Sequence, residues 1–465
     1  MAGDESRADG GSWGDGFGQS ALVTMRRGFI PSGVRNRFAL MQEHERLFMI
    51  SVSTVLVMAG QGVVSPVLPL FAKEFDVSTA TIGLTLSSFA LARLILNVPL
   101  GVLSDRAGRR ILLISGPLVT AVGMVGSGLA GGIGDLLAWR FLAGAGSAMY
   151  MTGAIVYLTD ISTAETRARF IGTNQAALLV GVSIGPAVGG LLADAFGLRV
   201  PFHVVGVAAL IAGVYAYLRI PETLTPEIRK QNQVEQARSG ERRVWLSLLR
   251  SPNFAAVSVV TFGIFFTRAA SRQTLVPLLG TARLGLSAGT LGGIFSAMAM
   301  IQVVLVLPAA TLADRFGRKA AIVPSGIVVM AGLMLYGQSE TLSIFLLASL
   351  LLALGTSVAG PAPAAFAADI APPSARGLTM GLHRTMGDVG FVTGPPLLGW
   401  LADHTSFGWG FTANAILMGA SALIFAVVVR EQVGHRATEV RAPQSELPQP
   451  GLPRSEPERE GAAED

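Results

Sequence analysis

The segment GVLSDRAGRR at residues 101–110 returns as ATLADRFGRK at residues 310–319, 209 residues further along the chain. The same separation relates GVSIGPAVGGLLAD at 181–194 to GFVTGPPLLGWLAD at 390–403. One offset shared by such distant segments indicates two structurally equivalent halves rather than a chance likeness. The fold must therefore be built twice from the same plan.

The composition places both halves in a membrane. Of 465 residues, 51% are hydrophobic and 14% are charged, whereas a soluble chain carries roughly a quarter charged residues. Apolar stretches of about 20 residues, long enough to cross a bilayer, recur along most of the length. The predicted fold class is an all-α membrane protein, with twelve transmembrane helices in two pseudo-symmetric six-helix bundles. Duplicated halves in so apolar a chain favour a transporter whose binding site lies between them.

Twelve apolar spans fit this pattern, six in each half. They cover residues 48–71, 79–101, 111–130, 134–158, 169–193, 201–218, 253–280, 288–312, 320–337, 343–367, 377–401 and 409–430. The predicted domain order is an unstructured tail at 1–47, a six-helix bundle at 48–218, a basic central loop at 219–252, a second bundle at 253–430 and an unstructured tail at 431–465. Both tails are rich in Gly, Pro or charged residues, which disfavours a packed core.

Basic residues predict the orientation. The loops on one side carry only Lys73, Arg199 and Arg283, and most of the 35 basic residues lie in the tails and loops of the other side. Because positive segments stay in the cytoplasm, both termini are predicted to be cytoplasmic, in a multi-pass protein of the cell membrane. The net charge of +5 follows from this topology. The lipid bilayer is thus an expected partner, and nucleic acid is not.

The residue inventory argues against several kinds of chemistry. The chain has no cysteine, and its five histidines lie singly, so neither a metal site nor a cofactor is expected. The sequence shows no nucleophile–base constellation and no phosphate-binding loop. The chain is therefore not expected to be an enzyme.

The duplicated segment at residues 101–110 and 310–319, here called the gating motif, resembles the loop between helices 2 and 3 of the major facilitator superfamily. Its first copy holds Gly101, Asp105, Arg106, Gly108 and Arg109, and its second holds Asp314, Arg315, Gly317 and Arg318. Gly101 would let two backbones approach closely, and Gly108 suits a tight turn. Asp105 would offer its carboxylate to a helix N-terminus or an arginine. The resemblance, which covers about residues 45–432, implies a latch on the outward-facing state; a topology signal alone is the alternative for the arginines.

The fifth span carries a second motif that resembles the antiporter signature of the same family. It consists of Gly181, Gly185, Pro186, Gly189 and Gly190, with a weaker copy at Gly390, Gly394, Pro395 and Gly399. Glycines four residues apart form a smooth helix face for close packing, and proline bends the helix. The resemblance is closest to the twelve-helix drug/proton antiporters and implies export. A packing seam without a role in transport is the alternative.

Polar side chains inside the spans are the candidates for substrate binding or coupling. They are Gln61, Arg93, Asn97, Arg140, Arg268, Arg272, His383, Arg384 and Asp388. A charge that faces lipid costs at least ~2.5–3.5 kcal/mol, so these groups should face a cavity or a partner. Helical spacing places Arg268 and Arg272 on one face and lets Arg384 pair with Asp388.

The charge balance of these candidates favours neutral or anionic organic substrates. Asp388 is the only acid deep in a span, and Gln61 stands where relatives that export cations often carry an acid. In relatives the arginine that matches Arg140 is implicated in proton coupling. Arginine does not lose its proton, so Asp388 is the predicted coupling group and His383 its reserve.

Three functions remain open on these grounds. The first is a secondary active transporter that exports small organic molecules in exchange for protons by alternating access. The second is an importer or exchanger of organic anions with an arginine-lined cavity. The third is a sensor or scaffold on the same fold. A functional monomer is expected, with a small organic substrate and the proton as its partners.

Overall fold

A computed structural model describes residues 32–163, 166–225, 248, 250–371 and 376–429, with the side chains of 32–44, 168, 376 and 377 outside that description. Most of the predicted central loop at 219–252 lies outside the described residues. Within the described residues the chain forms long helices, most of them joined by short turns. They are α1 (Ser32–Lys73), α2 (Thr79–Ala107), α3 (Arg109–Leu129), α4 (Ile133–Asp160), α5 (Arg167–Phe196), α6 (Val200–Arg219), α7 (Pro252–Leu284), α8 (Ala288–Phe316), α9 (Arg318–Gly337), α10 (Leu342–Asp369), α11 (Arg376–His404) and α12 (Phe407–Val428).

Apart from the start of α1, the helices coincide with the predicted spans to within six residues at each end, and the predicted fold class is confirmed. Eleven of them are long and apolar enough to cross a membrane. The remaining one is α11, a helix of 29 residues whose mean hydropathy is lowered by groups such as Arg384 and Asp388. Its length still exceeds the roughly 20 residues that a bilayer requires. The tail beyond residue 429 lies outside the described residues.

The first helix starts earlier than expected. It begins at Ser32, inside the stretch 1–47 that was predicted to be unstructured, and residues 1–31 lie outside the described part of the chain. Between Gly33 and Gly60 the sequence has neither glycine nor proline, so no backbone signal ends the helix there. Polar composition alone was a poor guide to order at this point.

Local sequence explains the ends of several helices, and it does so in duplicate. The hydroxyl oxygens of Ser78 and Ser287 accept from the backbone N–H groups three residues on, which caps α2 and α8. At the other ends of α2 and α8, Gly108 and Gly317 have φ values of 105° and 92°. Side chains rarely allow that conformation, so the predicted tight turn at Gly108 is confirmed.

The molecule has two halves and two ends. The N-half is α1–α6 and the C-half is α7–α12. The tail end is the end of the bundle where α3 begins and α2 stops, and the far end is the opposite one, where α2 begins and α11 stops. Buried aromatic residues anchor each half, among them Phe71 and Phe202 in the N-half and Tyr336 and Phe411 in the C-half.

Candidate functional site

A central cavity of about 170 Å³ lies between the halves, at the middle of the helices. Six of the nine candidate side chains line it, contributed by α1, α2, α4, α7 and α11. They are Gln61, Arg93, Arg140, Arg268, Arg384 and Asp388. Apolar side chains such as Phe89, Phe265 and Phe391 complete the wall. The repeat therefore brings residues that are remote in sequence to one place between the two bundles.

Asp388 joins the halves within this cavity. Its carboxylate lies 3.7 Å from the guanidinium of Arg93 and accepts a long hydrogen bond of 3.5 Å from the amide of Asn97, both on α2. Arg93 and Asn97 therefore lie on one face of α2. The predicted pair of Asp388 with Arg384 is wrong. Arg384 is exposed and forms no ion pair with Asp388 among the described residues, whereas Asp388 contacts Arg93 and Asn97 of α2.

Arg140 is buried with little to offset its charge. Its Nη1 lies 3.7 Å from the sulfur of Met124, and its guanidinium sits over the ring of Phe89 at 4.7 Å. Contacts with a thioether and an aromatic ring are weaker than those with a carboxylate. On α1, Gln61 donates from its amide to the hydroxyl of Ser147 at 3.3 Å.

The arginines of α7 lie in a stretch of widened helix. Residues Thr267–Leu275 form a π-helix, a rare geometry that is frequent at functional sites. Arg268 and Arg272 both line a second cavity of about 420 Å³ between α5, α7, α8 and α10. The prediction that they share a face is confirmed, although the helix there is not the α-helix that the spacing argument assumed.

A third cavity extends the central one toward the tail end. It measures about 360 Å³ and shares Met151, Arg384 and Asp388 with the central cavity. The second cavity shares Leu178 and Arg268 with the central one. The three cavities are thus adjacent. Among the described residues that line them, five are arginines and one is an aspartate.

His383 is placed away from these cavities. Its Nδ1 lies 3.2 Å from the hydroxyl of Thr261 on α7, and the side chain is buried between α7 and α11. Of the two neighbours on α11, Arg384 and not His383 lines the cavities described above, and the role of His383 as the reserve coupling group stays a prediction. The hydroxyl of Thr261 is thus the hydrogen-bond partner that the structure gives this histidine.

The gating motif forms the same ion-pair triad in both halves. Arg109 lies 3.4 Å from Asp105 and 2.8 Å from Asp160, at the end of α4. In the C-half, Arg318 contacts Asp314 at 2.5 Å and Asp369 at 3.3 Å. Of the two partners predicted for Asp105, the structure shows the arginine. The triads tie the tail ends of α2 and α4, and of α8 and α10, inside their own halves.

The predicted close contact at Gly101 is not made in this conformation. A Cβ at that position would meet no atom within 4 Å, and the same holds for Gly172 on α5 and Gly381 on α11. These three glycines lie toward the tail end, where the cavities separate the halves. A close approach of backbones there requires the halves to come together, so the prediction is wrong for the state observed.

Glu222, just after α6, caps the start of α3. Its carboxylate accepts from the backbone N–H groups of Arg109 at 3.0 Å and Arg110 at 3.1 Å, and from those of Thr223 and Leu224. Partial burial raises the pKa of the Glu222 carboxyl, but the four hydrogen bonds outweigh this and hold it below its ordinary value. The short PET segment at 221–223 therefore stabilises the turn of the gating motif.

We expect Glu222→Gln to lower thermal stability by about 0.5–2 kcal/mol, the usual loss for a helix N-cap. A carboxylate with a depressed pKa stabilises the fold above its ordinary pKa, and this contribution disappears as pH falls through the lowered value. The difference in melting temperature between variant and wild type in detergent should therefore be present at pH 7 and shrink in acid. A difference that is unchanged by acid would contradict the cap.

A second expected result concerns Asp105→Asn, which removes the charge from the N-half triad. We expect normal membrane insertion but a severe loss of transport, because Arg109 and Asp160 are left without their third partner when the tail end closes. Flux in proteoliposomes and surface expression measure the two effects. The matched control is Glu74→Gln on an exposed residue. Wild-type flux in Asp105→Asn would reduce the motif to a topology signal.

At the far end the halves touch through duplicated backbone contacts. A Cβ at Gly83 would lie 2.5 Å from the carbonyl oxygen of Pro395, and one at Gly292 would lie closer still to that of Pro186. Each pair joins one helix of the N-half to one of the C-half, and the two pairs are related by the repeat. No larger side chain fits at either glycine without moving the halves apart.

The glycines of the α5 motif divide between two neighbours. Three of them, Gly181, Gly185 and Gly189, pack against the backbone of α1 within their own half. Pro186 and Gly190 instead face α8 of the C-half. The motif is therefore both a packing seam and a surface between the halves. The predicted role of the motif in export stays a prediction.

Two carboxylates that sequence reasoning did not single out also seal the far end. Asp403 of α11 accepts from the backbone N–H groups of Thr79 and Ala80, each at 2.9 Å. Asp194 of α5 accepts from the hydroxyl of Ser287 at 2.6 Å and the backbone N–H of Gly289 at 2.9 Å. Each thus binds the N-terminus of a helix in the opposite half, where a negative charge is favoured. Both aspartates end the duplicated segments 181–194 and 390–403, which was the available signal.

Comparison with known proteins agrees with this architecture. The model of the Major Facilitator Superfamily matches residues 50–270 and 261–457. Since these ranges include most of the chain, the protein belongs to the Major Facilitator Superfamily and is a multi-pass membrane transporter.

Individual relatives share less than a third of their residues with this chain. The chain is 29% identical to Multidrug resistance protein 2 of Bacillus subtilis (strain 168), over 78% of this chain and 90% of that protein. Among solved structures, it resembles a bacterial homologue of the human lysosomal transporter Spinster, with a TM-score of 0.67 at 16% identity, over 83% and 95% of the two chains. It also resembles the human organic anion transporter MFSD10, with a TM-score of 0.60 at 17% identity, over 82% and 99%. At these identities the structural likeness shows the fold alone.

Proposed function

We propose that the protein exports small organic molecules from the cytoplasm in exchange for protons, by alternating access. The observation that carries this proposal is the asymmetry of the two ends. Backbone contacts and the carboxylates of Asp194 and Asp403 close the far end, while the cavities extend toward the tail end. With the tail end in the cytoplasm, as the basic loops predict, the site is open to internal substrate.

The likeness to a multidrug resistance protein supports export of organic molecules. The wall of the central cavity is suited to such substrates, because it combines aromatic and sulfur-containing side chains with polar and charged ones. The α5 motif, whose Pro186 and Gly190 lie against α8, provides a surface on which the halves can rock.

Asp388 is the proposed proton-coupling group. It is the one carboxylate among the described residues that line the cavities, and its partners, Arg93 and Asn97, belong to the other half. Movement of α2 relative to α11 would separate these groups. An aspartate beside an arginine stays ionised, whereas a buried aspartate without one favours its protonated form.

The arginines favour a second candidate function, the transport of organic anions by uptake or exchange. Arg268 and Arg272 lie together in the widened part of α7, and Arg140 is buried beside Phe89. Guanidinium groups bind carboxylates and phosphates through paired hydrogen bonds. The direction of flux distinguishes this function from export.

One experiment separates these functions. Purified protein in proteoliposomes is given a labelled panel of cationic, neutral and anionic compounds, with and without an imposed pH difference. We expect a neutral or anionic compound to accumulate inside the proteoliposomes only when protons flow out of them down the imposed gradient. Accumulation that requires protons to flow into the proteoliposomes together with the compound would support uptake instead. A panel that never responds to the gradient would contradict proton coupling.

A further inference from the structure

The imbalance of charge in the three adjacent cavities points to the kind of substrate. Arginine stays protonated in proteins, so the excess of positive charge cannot be relieved by loss of protons. Asp388 offsets the charge of Arg93 alone. Within the described part of the chain, the other lining arginines have no carboxylate within 4.0 Å; they are Arg140, Arg268, Arg272 and Arg384.

Burial makes this imbalance costly in the absence of an anion. Arg140 is 6% exposed, and its Nε has no hydrogen-bond partner among the described residues. Arg272, which is partly exposed, makes one long hydrogen bond of 3.4 Å to the carbonyl oxygen of Phe295 and lies 5.7 Å from the ring of the same residue. A buried charge that lacks a partner strongly disfavours the structure around it. Both guanidinium groups therefore have unmet capacity for an anionic ligand.

We infer that the substrate is a small organic dianion with an apolar body, bound by arginines of both halves at once. Arg140 belongs to the N-half, whereas Arg268 and Arg272 belong to the C-half, so a single acidic group would leave one half uncompensated. The planar guanidinium group suits either a carboxylate or a phosphate. The rings of Phe89 and Phe265 provide the apolar surface between the two sets of charges.

This inference rests on the proposed function, because it takes the three adjacent cavities together as the transport site. It goes further in requiring two negative charges on one molecule. A ligand that reaches arginines in both halves also binds each half more strongly when they are close together. The dianion would then promote the movement between states that transport requires.

Binding of matched probes tests the inference. Biphenyl-4,4′-dicarboxylate, biphenyl-4-carboxylate and the dimethyl ester of the diacid share one skeleton and differ in charge, and phenyl phosphate tests the phosphate group. We expect the dicarboxylate to bind the purified full-length protein roughly tenfold or more tightly than the monocarboxylate, and the ester to bind weakest. Phenyl phosphate carries both charges on one group, so tight binding of phenyl phosphate with weak binding of the dicarboxylate would overturn the arrangement of two anion subsites. A monocarboxylate or ester that binds as tightly as the dicarboxylate would overturn the inference.

Variants locate the two anion subsites. Arg140→Ala and Arg268→Ala should each weaken dicarboxylate binding by roughly tenfold or more, while the monocarboxylate should be affected by only one of them. The matched control is Arg283→Ala, which removes an exposed arginine from the far end of α7. Equal losses for both probes in both variants would overturn the two-subsite arrangement. If a variant fails to fold, the probe series on the wild type decides the matter.

Failure of the inference and failure of the proposed function give different results. If no acidic probe binds but a neutral compound is exported in response to a proton gradient, the dianion inference fails and the proposed function stands. If the dicarboxylate binds with the expected preference but no compound moves across the membrane, the inference stands and the proposed function fails.

Discussion

Asp388→Asn is expected to abolish the accumulation of substrate that a proton gradient drives, while substrate still binds and equilibrates across the membrane. The carboxylate lies between the halves, within reach of Arg93 and Asn97 on α2. Its surroundings must therefore change when α2 and α11 move apart, and with them its preference for a proton. Asparagine keeps the shape of the side chain and can still interact with α2, but it cannot ionise. Coupling is lost and binding is kept.

The measurement is the ratio of internal to external substrate in proteoliposomes at a fixed pH difference, together with exchange at equal pH. Asp76→Asn is the matched control, because it makes the same chemical change at an exposed turn. The variant at 388 should fall to a ratio near one, whereas the control should keep the wild-type ratio. If Asp388→Asn accumulates substrate as the wild type does, the proton is carried elsewhere or coupling uses another ion.

The helices could be read from the sequence because hydrophobicity over about 20 residues is a local property. The tight turn at Gly108 was predictable for the same reason, since one residue type suits a positive φ. The start of α1 at Ser32 was missed because polar composition disfavours a core without forbidding a helix. Local signals thus fixed the number and place of the elements more reliably than their ends.

The partners within the cavity could not be predicted in this way. The pair of Arg384 and Asp388 was expected from spacing along one helix, but Asp388 contacts Arg93 of the other half. Which face of α11 meets α2 depends on how two bundles pack, and no local pattern states it. The sequence could predict which charged residues line the cavities, because charges inside spans must avoid lipid, but it could not predict which of them contact each other.

The internal repeat also marks contacts that no known motif includes. Asp194 and Asp403 occupy equivalent positions at the ends of duplicated segments, and each caps a helix of the opposite half. An acid kept in both copies at the edge of a span has no packing role that requires its charge. Equivalent charged positions in a duplicated chain are therefore candidates for contacts across the pseudo-symmetry axis.

The double variant Asp194→Asn/Asp403→Asn is expected to shift the resting protein toward a state open at the far end. Each substitution removes a negative charge from a helix N-terminus, worth about 0.3–1 kcal/mol at a surface and up to ~2 kcal/mol when partly buried. Because the contacts lie on separate interfaces, their effects should add. Two such losses correspond to a change of roughly threefold to several hundredfold in the equilibrium between the states.

The chain has no cysteine, so a single reporter thiol can be introduced without removing others. Ser65→Cys places it on the wall of the central cavity. A membrane-impermeant thiol reagent is then applied from each side of the membrane. In the double variant, labelling should become faster from the far side and slower from the tail side.

Asp135→Asn, which alters an exposed acid in the first turn of α4, is the control and should change neither rate. Labelling in the double variant that matches the wild type from both sides would show that backbone contacts such as those of Gly83 and Gly292 close the far end without help from the carboxylates.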